Sequence, residues 1–313
     1  MTRVGVVGAG VVGQVYAGLL HQAGVNVTLI ARGERLPELG TGIRLECARP
    51  ALSSGSVRVP VADAAALPPV DVLILAVRAH QLREAAALAD SATAPVVVTL
   101  MHLTGGAAEL SARVGAGRLV RAFPGLGGRR GPDGVVHWTP VKQQPTTVDA
   151  HAVHGQEMAT LLRRTRLPVV TEPRMSDWLA THAVLVASLG AGVLRAGGDP
   201  VRLAEDPVLM RQTIDAIRNG FRALRERDQD VRPPNLATLF GPVPPRFARL
   251  YWQHALRTDV GTLSIAPHVR ASARDEFPGV CRTALTHTGG DASPLPPGSN
   301  RISLRTRSTN CLG

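Results

Sequence analysis

Lysine is almost missing from this chain: among 35 basic residues, Lys142 is the single lysine and all the others are arginine. Any chemistry that needs a lysine ammonium must therefore use Lys142 or do without one. Aromatic residues are also scarce, at 3% of 313 residues. The chain therefore lacks the stacking platforms on which single-stranded nucleic acids are bound. The net charge of +11 comes from arginines spread along the sequence rather than gathered in one stripe, so no nucleic-acid partner is expected. The three cysteines, Cys47, Cys281 and Cys311, are far apart and form no CxxC or zinc spacing, which reads as free thiols in a reducing compartment with no metal site. No apolar run reaches about 18 residues without a charge or a break, so no membrane span is expected. The N-terminus opens on a strand without a basic leader or apolar signal region, and a cytoplasmic location is the expectation.

What the chain does have is glycine, placed with meaning at its start. An apolar run at 4–7 reads as a buried strand, and it ends in Gly8-Ala9-Gly10-Val11-Val12-Gly13. Helical periodicity follows through Val12, Tyr16, Leu19 and Leu20. In that setting Gly8 permits the tight turn, Gly10 lets the backbone approach a pyrophosphate, and Gly13 lets helix and sheet pack closely. The helix N-terminus then offers free N–H groups and a positive dipole end to the phosphates. Gly8, Ala9, Gly10, Val11, Val12 and Gly13 are thus the expected dinucleotide-binding turn. The second strand, at 25–30, ends in Ala31-Arg32-Gly33, where NAD-binding folds commonly carry an acidic residue for the ribose 2′-hydroxyl. An arginine suits a 2′-phosphate, so Arg32, with Arg35 nearby, points to NADP.

Further strands are expected at 42–47, 57–61, 71–77, 95–100 and 119–123, with helices between them reaching Ala89 and Ala112. Arg78, His80, Gln81 and His102 fall just past strand ends, where open parallel sheets hold their ligands. A hairpin of 135–139 with 146–148, a helix at 151–164 and a last strand at 169–171 complete this half. From Glu172-Pro173 the pattern becomes helical: a long helix at 177–196 capped by Ser176, a second at 206–227, and shorter ones at 235–240, 246–258 and 269–285. Residues 289–313 have no periodicity and read as a disordered tail. The domain division is 1–172, 173–288 and the tail.

These motifs give the chain a resemblance to the ketopantoate reductase family. It rests on the glycine turn with Arg32, on Leu75-Ala76-Val77-Arg78-Ala79-His80-Gln81, on Asp177-Trp178-Leu179, and on Pro233-Pro234-Asn235. The resemblance implies an α/β fold, with an N-terminal Rossmann-type domain followed by an all-α, 6-phosphogluconate-dehydrogenase-like domain. It also implies NADPH-dependent reduction of a small anionic carbonyl compound, a 2-oxo acid, in the cleft between the two domains; a homodimer is left open. The family's cofactor-facing Lys-Ala-x-Gln corresponds here to Arg78 and Gln81. The asparagine of its Asn-Gly-x-Gly turn falls near His102. Its catalytic lysine, on the first helix of the second domain, has no counterpart in Trp178-Leu179-Ala180-Thr181-His182-Ala183, and its downstream acidic residue falls near Gly261-Thr262-Leu263-Ser264. Two histidines, His182 and His102, are the candidate proton donors, since imidazolium can protonate a developing alkoxide near neutral pH. Three other outcomes follow from the missing lysine: water supplies the proton, the chain is a different enzyme of the same group acting on an imine or a hydroxy acid, or it is a non-enzymatic NADP-binding sensor or regulatory partner.

Overall fold

Strand alternation and helical periodicity separate cleanly along the chain, and the computed structural model, which describes residues 2–52, 55–103, 107–272, 281 and 284, follows that division. The first part runs β1 (Arg3–Val7), α1 (Val11–Gln22), β2 (Asn26–Ala31), α2 (Arg35–Gly40), β3 (Ile43–Cys47), β4 (Gly55–Val57), β5 (Val61–Asp63) and β6 (Val72–Leu75). It continues with α3 (Leu82–Ser91), β7 (Val96–Leu100), α4 (Ala107–Val114), β8 (Leu119–Phe123), β9 (Leu126–Arg130), β10 (Val136–Pro140), β11 (Thr146–Asp149), α5 (Gly155–Arg163) and β12 (Val169–Glu172). The main sheet has the order β12-β11-β8-β7-β6-β1-β2-β5, parallel from β5 to β8, with β11 antiparallel to β8. Such strands are covered on both faces and read as continuous apolar runs. One face packs on Val15, Leu19, Met158 and Leu162, the other on Leu82, Ala86, Leu110 and Val114. The strand order reverses between β1 and β6, which is where dinucleotides bind in doubly wound sheets.

A second sheet of four strands, β4-β3-β10-β9, lies against α1. Here the expected hairpin of 135–139 with 146–148 is corrected. Residues Val136–Pro140 pair with Leu126–Arg130 across the Gly131-Pro132-Asp133-Gly134 turn, whereas Thr146–Asp149 crosses to the main sheet. No alternation marks 126–130 as a strand in the sequence, because two of its residues, Gly127 and Gly128, carry no side chain to show it. The expected strand at 57–61 is likewise two short strands on different sheets.

The helical part comprises α6 (Met175–Arg195), α7 (Pro200–Glu205), α8 (Pro207–Arg225), α9 (Pro234–Leu239), α10 (Pro245–Arg257), a π-helical segment Val260–Ile265, and α11 (Ala266–Ser272). Asp206 caps α8 by accepting from the N–H groups of Val208 and Leu209, both at 2.9 Å. Ser176, expected to cap α6, instead lies inside its first turn, and its hydroxyl accepts from Arg121 Nη1 at 2.8 Å. Helix α6 is apolar and long enough by composition to cross a membrane, but most of it is buried, chiefly against α8. The close fit needs glycine: a Cβ at Gly220 would lie 2.4 Å from Val184 Cγ1. The expected 289–313 tail lies outside the described residues.

An ionic junction fixes α6 to the sheet. Glu172, the last residue of β12, is buried and accepts from Arg232 through both oxygens at 3.0–3.2 Å, and from the Arg174 N–H at 2.8 Å. Asp177 accepts from Arg174 Nε at 2.6 Å and from the Asp230 N–H at 3.3 Å. Removing one member of a buried pair leaves an uncompensated charge. Arg232→Leu should therefore destabilise the protein by about 2–4 kcal/mol in urea denaturation, and adding Glu172→Gln should recover much of that loss. A single-variant loss below about 0.5 kcal/mol would contradict a structural role for this pair.

Candidate active site

Two sites meet at the C-terminal edge of the parallel strands. The first is the glycine turn between β1 and α1. A Cβ at Gly8 would lie 2.3 Å from the Ala76 carbonyl oxygen, and one at Gly13 would lie 1.8 Å from the Gly8 carbonyl oxygen. Both positions are closed to any side chain. Gly10, by contrast, has nothing within 4 Å of its would-be Cβ, so the backbone at the head of α1 faces open space. Helix α1 has no side-chain cap on its first N–H groups, which leaves them for an anion. The Ala9 carbonyl accepts from Gln14 Nε2 at 2.9 Å and from Arg35 Nη2 at 2.6 Å, and this fixes the turn. The turn thus fits a pyrophosphate, with Gly8, Ala9, Gly10, Val11, Val12 and Gly13 as its cradle.

Around this turn the structure distributes the expected polar residues unevenly. Arg32 is exposed just after β2 and forms an ion pair with Glu84 on α3. Arg35 is partly buried and pairs with Glu38 at 3.4 Å, and Glu38 also holds Arg130 from β9. Gln81 Oε1 accepts from the Arg78 N–H at 3.2 Å, which orders the segment leaving β6. His80 is exposed there.

The second site is a column of rings between the two parts of the chain. Trp178 and His182, one helical turn apart on α6, stack at 5.0 Å with their planes 6° apart. His182 stacks on His102, which follows β7, at 5.2 Å and 29°, and His102 stacks on His268 of α11 at 5.1 Å and 21°. Phe123, at the end of β8, closes the side of the column, 4.3 Å from His182 and 4.8 Å from His102. The sheet's His102 therefore touches histidines from two helices of the helical part. A further planar ring between any two of these would need about 7 Å of centroid separation, at about 3.5 Å of contact on each face. The spacing between these rings is therefore too small for another planar ring. Nearly parallel rings cannot aim their in-plane lone pairs at one ion, and among the described residues no histidine, cysteine and carboxylate cluster could hold a metal.

Burial sets the protonation of all three rings. His182 is pushed down to about 3, by loss of solvent and then by His268. His268 is pushed down to about 4, by loss of solvent and then by the Arg78 guanidinium. His102 is held well below the ordinary histidine value by loss of solvent, then by His268 and His182. The expectation of an imidazolium at His182 or His102 near neutral pH is thus corrected for the protein by itself. Charging a ring here would cost its hydration beside other cations.

Sequence reasoning named His182 and His102 separately; the structure brings them into contact. It missed His268, one of ten histidines and far from any strand end. It also missed Phe123 as a ring partner and Glu84 as the partner of Arg32. Trp178 stood in the family motif, and its spacing of four from His182 was the available signal.

Residues 4–152 match the family model described as ketopantoate reductase PanE/ApbA. That stretch, which is the α/β part of the chain, is similar to the family's domain. No curated protein matches the sequence. Among solved structures, the chain is similar to a PanE/ApbA family ketopantoate reductase from Ralstonia eutropha JMP134, with TM-score 0.71, 21% identity, and 94% of this chain and 93% of that one covered. It is similar to 2-dehydropantoate 2-reductase from Geobacter metallireducens GS-15, with TM-score 0.69, 16% identity, and 92% and 93% covered. It is also similar to D-mandelate dehydrogenase solved with NADH and anilino(oxo)acetate, with TM-score 0.70, 14% identity, and 92% of each chain covered. The shared fold is that of ketopantoate reductase-like and D-mandelate dehydrogenase-like oxidoreductases, an α/β dinucleotide domain followed by a helical region.

The histidine column makes stability depend on pH. Unfolded histidines take up protons near pH 6.5, whereas the folded His182 and His268 do so near 3 and 4. Between those values the unfolded chain binds more protons, so this stability is complete above about pH 6.5 and is lost as pH falls through the window. Each pH unit there is worth about 1.4 kcal/mol per ring. His182→Phe should lose about 2 kcal/mol less than the parent between about pH 7 and about pH 4.5, measured as denaturation free energies. Identical losses would contradict the buried neutral state of His182.

Proposed function

We propose that this chain is an NADPH-dependent reductase of a small carbonyl compound, a 2-oxo acid such as 2-dehydropantoate being the class to test first, working at the edge of the ring column. The observation that carries the reading is the position of His102. It leaves a strand of the dinucleotide-binding sheet and touches His182 and His268 of the helical part. The cofactor end of the sheet and the helical wall therefore meet at one place, as transfer between a bound cofactor and a second molecule requires.

When bound, a reduced nicotinamide supplies the hydride that reaches the carbonyl carbon. The glycine turn and the head of α1 hold the pyrophosphate, and Arg32 provides the cation for a 2′-phosphate. Arg78 lies close enough to His268 to depress its proton affinity, so the column has a cation at its outer end, suited to the carboxylate of a 2-oxo acid. His182 or His102 donates an N–H to the carbonyl oxygen as negative charge develops there. A neutral imidazole gives a hydrogen bond but does not surrender its proton readily. Complete reduction consumes one proton per hydride, and that proton reaches the alkoxide from water or from a ring protonated in the loaded site. Two anionic ligands beside the column favour the protonated ring, opposing the burial that lowers it in the free protein. Phe123 and Trp178 make the wall apolar, and the D-mandelate dehydrogenase neighbour was solved with anilino(oxo)acetate. Aryl-substituted 2-oxo acids therefore belong in the substrate panel with 2-dehydropantoate.

The second reading is a non-enzymatic NADP-binding sensor. It is favoured by one observation: α6 has no lysine, and its histidine is neutral in the free protein.

Kinetics of His182→Ala separate the two. As the acid, His182 should give a reduction rate that falls as pH rises through its value in the loaded enzyme. The variant should lose about 10²–10⁴-fold in kcat together with that limb, while cofactor affinity is unchanged. An unchanged kcat and pH profile removes His182 from the mechanism. Parent protein that binds NADPH but turns over no 2-oxo acid favours the sensor.

A further inference from the structure

The ion pair between Arg32 and Glu84 stands where the adenosine end of a dinucleotide would enter. Arg32 is the first residue after β2, and Glu84 lies in the first turn of α3, after β6. Strands β2 and β6 are the two neighbours of β1, paired with it along Val4–Val7. The pair therefore spans the sheet above the end of β1, over the glycine turn and at the strand-order reversal. Both side chains are more than half exposed, at 61% and 63%. An exposed pair of this kind shifts an equilibrium only a few-fold, so it opens readily for a ligand.

We propose that Glu84 is a specificity-determining residue for the cofactor, supplying from α3 the carboxylate that is missing at the end of β2. Folds that select NAD place an acidic residue at the end of the second strand, where it accepts from the ribose 2′-hydroxyl. This chain puts Arg32 at that position and delivers Glu84 to the arginine from the opposite side. A 2′-phosphate, carrying about −1.5 to −2 charges, must displace Glu84 from Arg32 and is repelled by it. A 2′-hydroxyl meets an acceptor in Glu84 without disturbing the pair. Arg35 does not offset this, because it is committed to the Ala9 carbonyl and shares Glu38 with Arg130. Glu84 therefore draws the chain's preference away from NADPH and toward NADH, while Arg32 draws it the other way.

The inference rests on the glycine turn being a dinucleotide site, and its test reads binding rather than turnover. NADPH and NADH are titrated separately into the parent protein, Glu84→Gln and Glu84→Lys, with quenching of tryptophan fluorescence as the signal. Glu84→Gln should tighten NADPH about 3–10-fold and leave NADH unchanged or about 2-fold weaker, and Glu84→Lys should widen the gap further. Equal tightening of both cofactors means that Glu84 only occludes the groove, and it overturns the proposal, as does an unchanged ratio of the two affinities. Parent protein that binds neither cofactor overturns the dinucleotide reading itself, and this proposal with it.

Discussion

His102 of the sheet touches two rings of the helical part, and much of the site follows from that contact. The residue leaves β7 at the C-terminal edge of the parallel strands, and His182 and His268 reach it from α6 and α11. Stacking at about 5 Å excludes water from the ring faces and leaves only ring edges for hydrogen bonding. The same burial lowers the proton affinity of all three rings, so close contact between the two halves and a neutral column are one physical fact. The ionic junction of Glu172, Arg232, Arg174 and Asp177 fixes the start of α6, and with it the position from which Trp178 and His182 project.

The near absence of lysine has a consequence at each end of the site. On α6 it removes the flexible ammonium that the family resemblance leads one to expect and leaves an imidazole, His182, against His102 of the sheet. Around the glycine turn, three guanidiniums are held by a carboxylate or a carbonyl: Arg32 by Glu84, Arg130 by Glu38, and Arg35 by Glu38 and Ala9. A guanidinium has several donors in a rigid plane, so each of these partners orders it, and a phosphate that reaches it competes with that partner.

The dinucleotide half was legible from the sequence where local rules determine the structure. The glycine turn needs only its own residues and the strand and helix on either side, and β1, α1, β2, β6, β7 and β8 all lie near the expected positions. The long helices α6 and α8 were legible for the same reason. The second sheet was not, because Leu126–Arg130 has glycine where alternating side chains would reveal a strand, and its partners come from sequence-distant segments. The ring column escaped for a related reason. His182 and His102 could be named one at a time from a helix and a strand end, but stacking is a long-range contact, and His268 carries no local mark. Glu84 is an ordinary exposed residue on α3 until the sheet order brings it opposite Arg32.

Direct transfer of hydride at the edge of this column is the central claim, and isotope transfer tests it most directly. The protein would be given NADPH deuterated at the transferring carbon of the nicotinamide, together with a panel of 2-oxo acids that includes 2-dehydropantoate and aryl-substituted members. Mass spectrometry would then read the products. Deuterium on the carbinol carbon of at least one product, formed about 10²–10⁴-fold more slowly by His182→Ala at matched cofactor occupancy, is the predicted result. Protein saturated with the labelled cofactor that delivers no deuterium to any member of the panel would contradict it.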